Sequence, residues 1–424
     1  MKRLLLLLFS TFALAGAPEN PNQQQPSEQT MNRLVKLYGD FGLPFPPPDA
    51  PLIRVPTGWN RSIKEGKSEP IYTLGFLLKP ADDKQPAEIL VGPCKSTFAP
   101  TKGDDEIERI KPEDVRVSEL SFDWKTEFSL NVGPALAIQC FQRSHTELAE
   151  KLMAASPGAV RGSGPVAVST GGPWMRHRQS PAYTGRPGDP AEVLLGGTAW
   201  SFWLNELMKS ESDWKTIRER MAKVVAEIPS LNDTPRKALL ESLDAALQPT
   251  NAPAGSIEAA IDALVNCSNN FSTTPRNKKP HPTYEKLLLL GFEAVPALIE
   301  HLEDKRLTRS LMVGFNNFPT APRRISELVS DLLGDLMGEP DKGDWLPRQL
   351  GSPLAKERVK KWWSGAEKIG EENYVRKHVL PRTGETRFPQ PTHLRIIETR
   401  YPKHLPSIYR EMLDSKAKSN GICA

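Results

Sequence analysis

Hydrophobic positions recur with three different rhythms along this chain. Leu4 to Leu14 is an apolar run of 11 residues interrupted by Ser10 and Thr11. Short β-type runs come next, at Ile71-Tyr-Thr-Leu-Gly-Phe-Leu-Leu78 and Glu88-Ile-Leu-Val91, bounded by Pro, Asp and Gly; Val115 to Leu120 and Phe122 to Leu130 alternate more weakly. From residue 189 the period lengthens. Trp214, Ile217, Met221, Val224, Val225 and Ile228 share one helical face. So do Ile257, Ile261, Leu264 and Val265, and then Ile325, Leu328, Val329, Leu332, Leu333 and Leu336. These are the i, i+3, i+4, i+7 stripes of amphipathic helices.

The rhythms divide the chain. Met1-Lys-Arg3, the apolar run and Ala13-Leu-Ala15 have the order of a cleaved export signal over residues 1–15. The run is short of the roughly 20 residues a membrane span needs, and Ala17 stands where a lipidated Cys would have to be. Residues 16–30 form a polar, Pro-rich linker expected to be disordered. Residues 31–155 are expected to be a small α+β subdomain. It opens on a short helix capped by Thr30 and closes on a helical hairpin beginning at Pro134. Residues 156–190 hold seven Gly and six Pro, the composition of a linker. Residues 191–424 read as successive helices, giving a mainly α fold with a small β-containing N-terminal part. Asp189-Pro190, Thr234-Pro235 and Ser352-Pro353 each place a capping side chain before a Pro suited to a first helical position.

Helix starts recur near 213 and 256, near 256 and 294, and near 282 and 322, so one unit spans about 40 residues, the period of stacked helical pairs. One unit, Leu290-Gly-Phe-Glu-Ala-Val-Pro-Ala-Leu-Ile-Glu-His-Leu-Glu-Asp304 followed by Leu307 and Arg309, resembles the HEAT repeat. It shares a Gly turn, an Ala-Val-Pro helix start, a leucine-rich face and an Asp at the closing turn. The match is specific around residues 290–309, and Gly314-Phe-Asn-Asn-Phe-Pro319 interrupts it. The resemblance, to exported bacterial proteins with such units, implies an α-solenoid over 191–424 that binds partners rather than transforming them.

Composition sharpens this picture. Of 424 residues 40 are Pro, and position divides them among the N-terminal segment, the 156–190 segment and helix starts. The net charge of +4, from 55 basic and 51 acidic residues, is too small for a dedicated nucleic-acid binder. It hides an asymmetry: residues 342–424 carry 17 Lys and Arg against 9 Asp and Glu, a net +8. A basic end on an exported array suits an anionic surface such as a cell-envelope polymer.

Chemistry-bearing patterns are sparse. The sequence contains no HExxH, GxSxG, Walker A or GxGxxG motif, so neither catalytic residues nor a cofactor are assigned. The seven His are scattered and the four Cys (Cys94, Cys140, Cys267, Cys423) show no CxxC, so no metal is expected; sequence does not choose among the Cys pairings. Arg306, Arg309, Asn316, Asn317, Arg323 and Arg324 surround the interrupted repeat. Two roles suit them: bidentate recognition of carboxylates or sulfates, or coverage of helix ends. Trp363, beside Lys360 and Lys361, is a candidate partner contact, while Trp200, Trp203 and Trp214 suit a core. The expectation is an exported, non-enzymatic interaction or scaffold protein whose partner is a protein or envelope polymer. The alternative is a secreted glycan-active lyase or hydrolase with an α/α-toroid-like domain. Tyr284, His301, Arg309 and Asn316 would have to converge in its cleft.

Overall fold

The computed structural model describes residues 27–61, 68–82, 85–98, 107–124, 130–156, 189–209, 211–268, 270–271, 281–313, 319–338, 356–379 and 391–419. The expected leader over 1–15, nearly all of the 156–190 segment and the Ser352-Pro353 cap lie outside them. The fold is mainly helical with a small antiparallel sheet in the N-terminal region.

Helix α1 (Glu28–Asp40) starts one turn earlier than the Thr30 cap predicts, because the Ser27 hydroxyl accepts the Thr30 N–H. Five strands follow: β1 (Leu52–Arg61), β2 (Ser68–Lys79), β3 (Ala87–Val91), β4 (Cys94–Phe98) and β5 (Glu108–Arg109), in the order β4-β3-β2-β1-β5. The two β-type runs of the sequence are β2 and β3, in register Phe76 to Leu90. The weakly alternating stretch instead gives 3-10 turns and the two-residue pair β6 (Asp123–Trp124) and β7 (Leu130–Asn131).

The helical hairpin is α2 (Gly133–Gln142) and α3 (Thr146–Ala155). Helix α2 is buried from Gly133 to Cys140, so the amide of Gln139 must find partners inside. Gln139 Nε2 donates to the Tyr38 hydroxyl at 2.9 Å and to the Gly92 carbonyl at 2.8 Å. Cys94 and Cys140 remain thiols, and burial pushes each up to about 12.

Then come α4 (Pro190–Leu207), α5 (Trp214–Glu227) and α6 (Thr234–Leu247). Asp189 caps α4 ahead of Pro190 as expected, whereas Asp233 rather than Thr234 caps α6. The three helices share one hydrophobic core with α1, the sheet and α2 and α3. Within it Trp203 donates its Nε1–H to the Phe41 carbonyl and Trp214 its own to the Leu207 carbonyl.

The second core belongs to α7 (Ile257–Asp262), α8 (Pro282–Leu290), α9 (Val295–Glu300), α10 (Ile325–Met337), α11 (Lys356–Ile369), α12 (Glu371–Val379), α13 (Pro391–Arg400) and α14 (Leu405–Ser419). All three predicted stripes face inward: every named α5 and α10 position is buried, as are Ile261 and Leu264 of the α7 segment.

One departure stands out. After Asp304 the chain forms strand β9 (Leu307–Val313) and then β10 (Pro319–Arg324), paired antiparallel, with β8 (Asn270–Phe271) parallel to β9. Leu307 and Leu311 of β9 belong to the first core while α9 and α10 on either side belong to the second, so the hairpin joins the two. The two buried hydroxyls of β9 are satisfied, one within the hairpin and one across the joint. The Thr308 hydroxyl donates to the Arg323 carbonyl at 3.0 Å and the Ser310 hydroxyl to the Cys267 carbonyl at 2.5 Å.

Candidate functional site

The four described arginines of the interrupted repeat do not converge on one opening. Each donates to a separate intramolecular acceptor. Arg306 sits between Asp304 (Nη2 to Oδ2, 2.6 Å) and Asp262 (Nη1 to Oδ1, 2.5 Å). Burial works against its charge, and the two carboxylates more than restore it. Asp304 also meets His301 Nδ1 at 2.9 Å, so the Asp at the closing turn of the HEAT-like signature holds both neighbours.

Arg309 leaves β9 toward the first core. Its guanidinium lies over the Trp214 ring, 4.4 Å from the centroid, and donates to Ser212 Oγ, the Ser212 carbonyl and the Lys209 carbonyl. Arg323 is 4% exposed and donates through Nη2 to Asp331 Oδ2 at 2.7 Å and to the Glu327 carbonyl at 3.0 Å. Arg324 caps α10: its backbone N–H donates to Glu327, and its Nε donates to Ser242 Oγ on α6 at 3.0 Å. Asn316 and Asn317 lie outside the described residues.

The glycan-enzyme constellation is divided in the same way. The Tyr284 hydroxyl donates to Asp335 Oδ2 at 3.2 Å, and burial together with the Asp331 and Asp335 carboxylates pushes the phenol well above its ordinary range. His301 pairs with Asp304 and Arg309 reaches Ser212; Asn316 is not described. Three side chains thus serve three different partners.

What the fold does bring together is an aromatic cluster under α11 and α12. Phe292, in the 3-10 turn after Gly291, meets Trp363 edge to face at 5.1 Å, Trp362 at 6.0 Å and Tyr374 at 5.4 Å. Trp362 Nε1–H donates to the Tyr374 hydroxyl, which donates to the Met337 carbonyl at the end of α10, both at 2.8 Å. His378 stacks on Tyr374 at 4.0 Å, and His393 of α13 lies 6.0 Å from His378. Trp363 is half-buried, a wall of this cluster more than a free platform. Glu371 secures the turn by accepting the Phe292 N–H at 3.1 Å and the Tyr401 hydroxyl at 2.8 Å.

Outside the aromatic cluster the same helices are cationic. Val359 and Ala366 face inward on α11, while Arg358, Lys360, Lys361 and Lys368 are exposed, as are Arg376 and Lys377 on α12. Arg358, Lys361 and Lys368 fall at i, i+3 and i+10, one line along the helix about 15 Å long. The exposed acids of α11 are Glu357 and Glu367. On α12, Glu371 and Glu372 turn instead toward Arg400 and toward Lys403 and His404. Among the described residues no helix is long and apolar enough to cross a membrane, and no group of three or more His, Cys, Asp or Glu is placed to hold a metal.

Sequence reading found the basic end and Trp363 but passed over Phe292, Tyr374, His378 and His393. The two histidines are 15 residues apart on separate helices, a separation that no single-helix period reveals. Comparison with protein-family models, curated proteins and solved structures found no match to this chain.

Proposed function

We propose that this chain is an exported, non-enzymatic interaction protein, a HEAT-like helical array that binds an anionic protein or envelope polymer through the outer face of α11 and α12. The observation that carries the proposal is the cationic line Arg358, Lys361 and Lys368 on a helix whose opposite face is anchored in the second core. Exposed cations at this spacing match repeated negative charges on a polymer or an acidic helix. The arginines of the hairpin serve a different end in this reading: they join the two cores and leave recognition to the basic end. The β9–β10 hairpin then replaces a second helix of the unit and ties the array to the N-terminal core.

The test is capture of the purified chain on its host's envelope fraction, compared with the triple variant R358E/K361E/K368E. The variant is expected to lose at least about tenfold in retention, and wild-type retention to fall steeply as salt shortens the roughly 8 Å screening length of physiological buffer. Equal retention of both proteins, or retention indifferent to salt, would refute the assignment of this face.

A further inference from the structure

His393, in the first turn of α13, has no exposed surface. Its Nε2 lies 2.9 Å from the Leu336 carbonyl. A carbonyl only accepts, so Nε2 carries the proton and Nδ1 keeps a lone pair, and among the described residues that buried Nδ1 has no hydrogen-bond partner. Gly338, left-handed at the C-terminal cap of α10 (φ 60°), packs against the imidazole so closely that a Cβ there would collide with Cε1. On the other side stand the Tyr374 ring at 6.1 Å and the His378 ring at 6.0 Å. His393 is thus the wedge that seats α12 and α13 on the end of α10.

We propose that His393 is an acid-operated latch: protonation of its Nδ1 releases α12 and α13 from the C-terminal end of α10 while the first core stays folded. The neutral ring is tolerated because one nitrogen is bonded and the cost of the other, a buried neutral acceptor, is far below that of a buried charge. A proton on Nδ1 creates a buried N–H donor with no acceptor and a positive charge beside His378, and an unpaired buried charge is among the costliest groups a protein can hold. The Leu336 carbonyl, already bonded to Nε2–H in the neutral state, gives no new bond in compensation.

Among the described residues, the carboxylates on the elements packed against the ring have other partners. Asp335 of α10 accepts from Tyr284 of α8, and Glu285 of α8 pairs with Arg395. Glu371 and Glu372 of α12 serve Arg400, Tyr401, Lys403 and His404, and Arg376 and Lys377 of α12 face solvent. Burial, with a further push from His378, lowers His393 to about 4. Since an unfolded histidine titrates at about 6.5, the latch weakens as pH falls from there. Its release frees Tyr374 from the Met337 carbonyl and opens the Phe292, Trp362 and Trp363 cluster directly behind the cationic helix.

Amide hydrogen exchange at stepped pH, corrected for the intrinsic pH dependence of exchange, tests this without any partner present. Between about pH 6.5 and about pH 4 the amides of α12 and α13 are expected to lose protection at least tenfold while those of α5 keep theirs. H393Q, which keeps an N–H for the Leu336 carbonyl but does not titrate, is expected to abolish that local loss. H378Q is expected to reduce that loss, because without the neighbouring charge the closed state takes up the proton more readily and the gap to the unfolded value narrows. Three results would each overturn the latch: α12 and α13 protected throughout, opening only together with α5, or the same transition in H393Q. If H393Q does not fold at neutral pH, an undiminished loss of protection in H378Q is the overturning result.

Discussion

Replacing Arg323 with Ala distinguishes a structural arginine from a ligand-binding one. In the fold Arg323 is buried at the end of β10, bonded to Asp331 and to the Glu327 carbonyl, with Glu327 and Asp331 one and two turns into α10. Burial already pushes the Glu327 carboxyl upward against the pull of Arg323. Removing the guanidinium leaves two carboxylates on one helical face near Asp335, in a site without their cation. Deleting one partner of a buried ion pair costs about 3–5 kcal/mol. Asp331 retains 29% exposure against 5% for Arg323, which places the loss toward about 3 kcal/mol.

The assay is urea denaturation followed by circular dichroism, with unchanged slope and a lowered midpoint expected for R323A. The double variant R323M/D331L, which removes both charges and fills the space with apolar atoms, is expected to recover most of the loss. The coupling between the two positions then exceeds the roughly 0.5 kcal/mol within which independent sites add. A cost below about 1 kcal/mol for R323A, the range of an exposed pair, would refute this account of Arg323, as would simple additivity. Loss of partner retention by a fully stable R323A would return the residue to the role of ligand contact.

Gly291 occupies φ 58° and ψ −129°, and a Cβ there would run into the Glu371 carboxylate; G291A is therefore expected to lose about 2–3 kcal/mol, visible as a lowered melting temperature, and an unchanged melt would contradict the turn geometry. Burial opposes ionisation of Asp304, yet hydrogen bonds from His301 and Arg306 overcome it and hold the carboxyl well below its usual range. A depressed carboxylate contributes stability above the unfolded value of about 3.9 that is lost as pH falls toward the folded one, so D304N is expected to flatten the acid limb of the stability profile; a limb of wild-type steepness would show that Asp304 does not supply it. Secretion from a bacterial host is expected to yield a mature chain beginning at Gly16, checked by intact mass; a secreted chain retaining Met1 to Ala15 would exclude cleavage there.

The legibility of this chain follows the sequence distance over which each feature is decided. Helix α5 was readable because its register is local: Asp213 caps it and Trp214, Ile217, Met221 and Val224 recur at 3.6 residues, all buried. Strand β9 was not. Leu307-Thr-Arg-Ser-Leu311 shows no period-2 alternation, because Arg309 shares the face of the two leucines and Thr308 and Ser310 are buried on the other. Pro319 and Pro322 then blur β10, whose pairing with β9 shifts register beside each of them.

The arginine group shows the same rule for chemistry. The residue types suit anion recognition, and Arg306 and Arg323 have acceptors nearby in sequence, Asp304 for the first and the Glu327 carbonyl and Asp331 for the second. The second acceptor of Arg306, Asp262, is 44 residues away, Ser212 is 97 from Arg309 and Ser242 is 82 from Arg324. A sequence displays donors and leaves their acceptors unidentified until the chain is folded, so clusters of Arg overstate binding wherever a fold needs its parts tied together. The cations of α11 differ in exposure: Arg358, Lys360, Lys361 and Lys368 lie at the surface, whereas Arg323 is buried. Their helix turns Val359 and Ala366 inward, and the acids of the adjoining α12 are drawn toward Arg400, Lys403 and His404. The packing of α11 therefore leaves its cations at the surface, while the packing of the hairpin draws Arg306, Arg309 and Arg323 into contacts between elements, and it is on this contrast in exposure that the proposed role of the basic end rests.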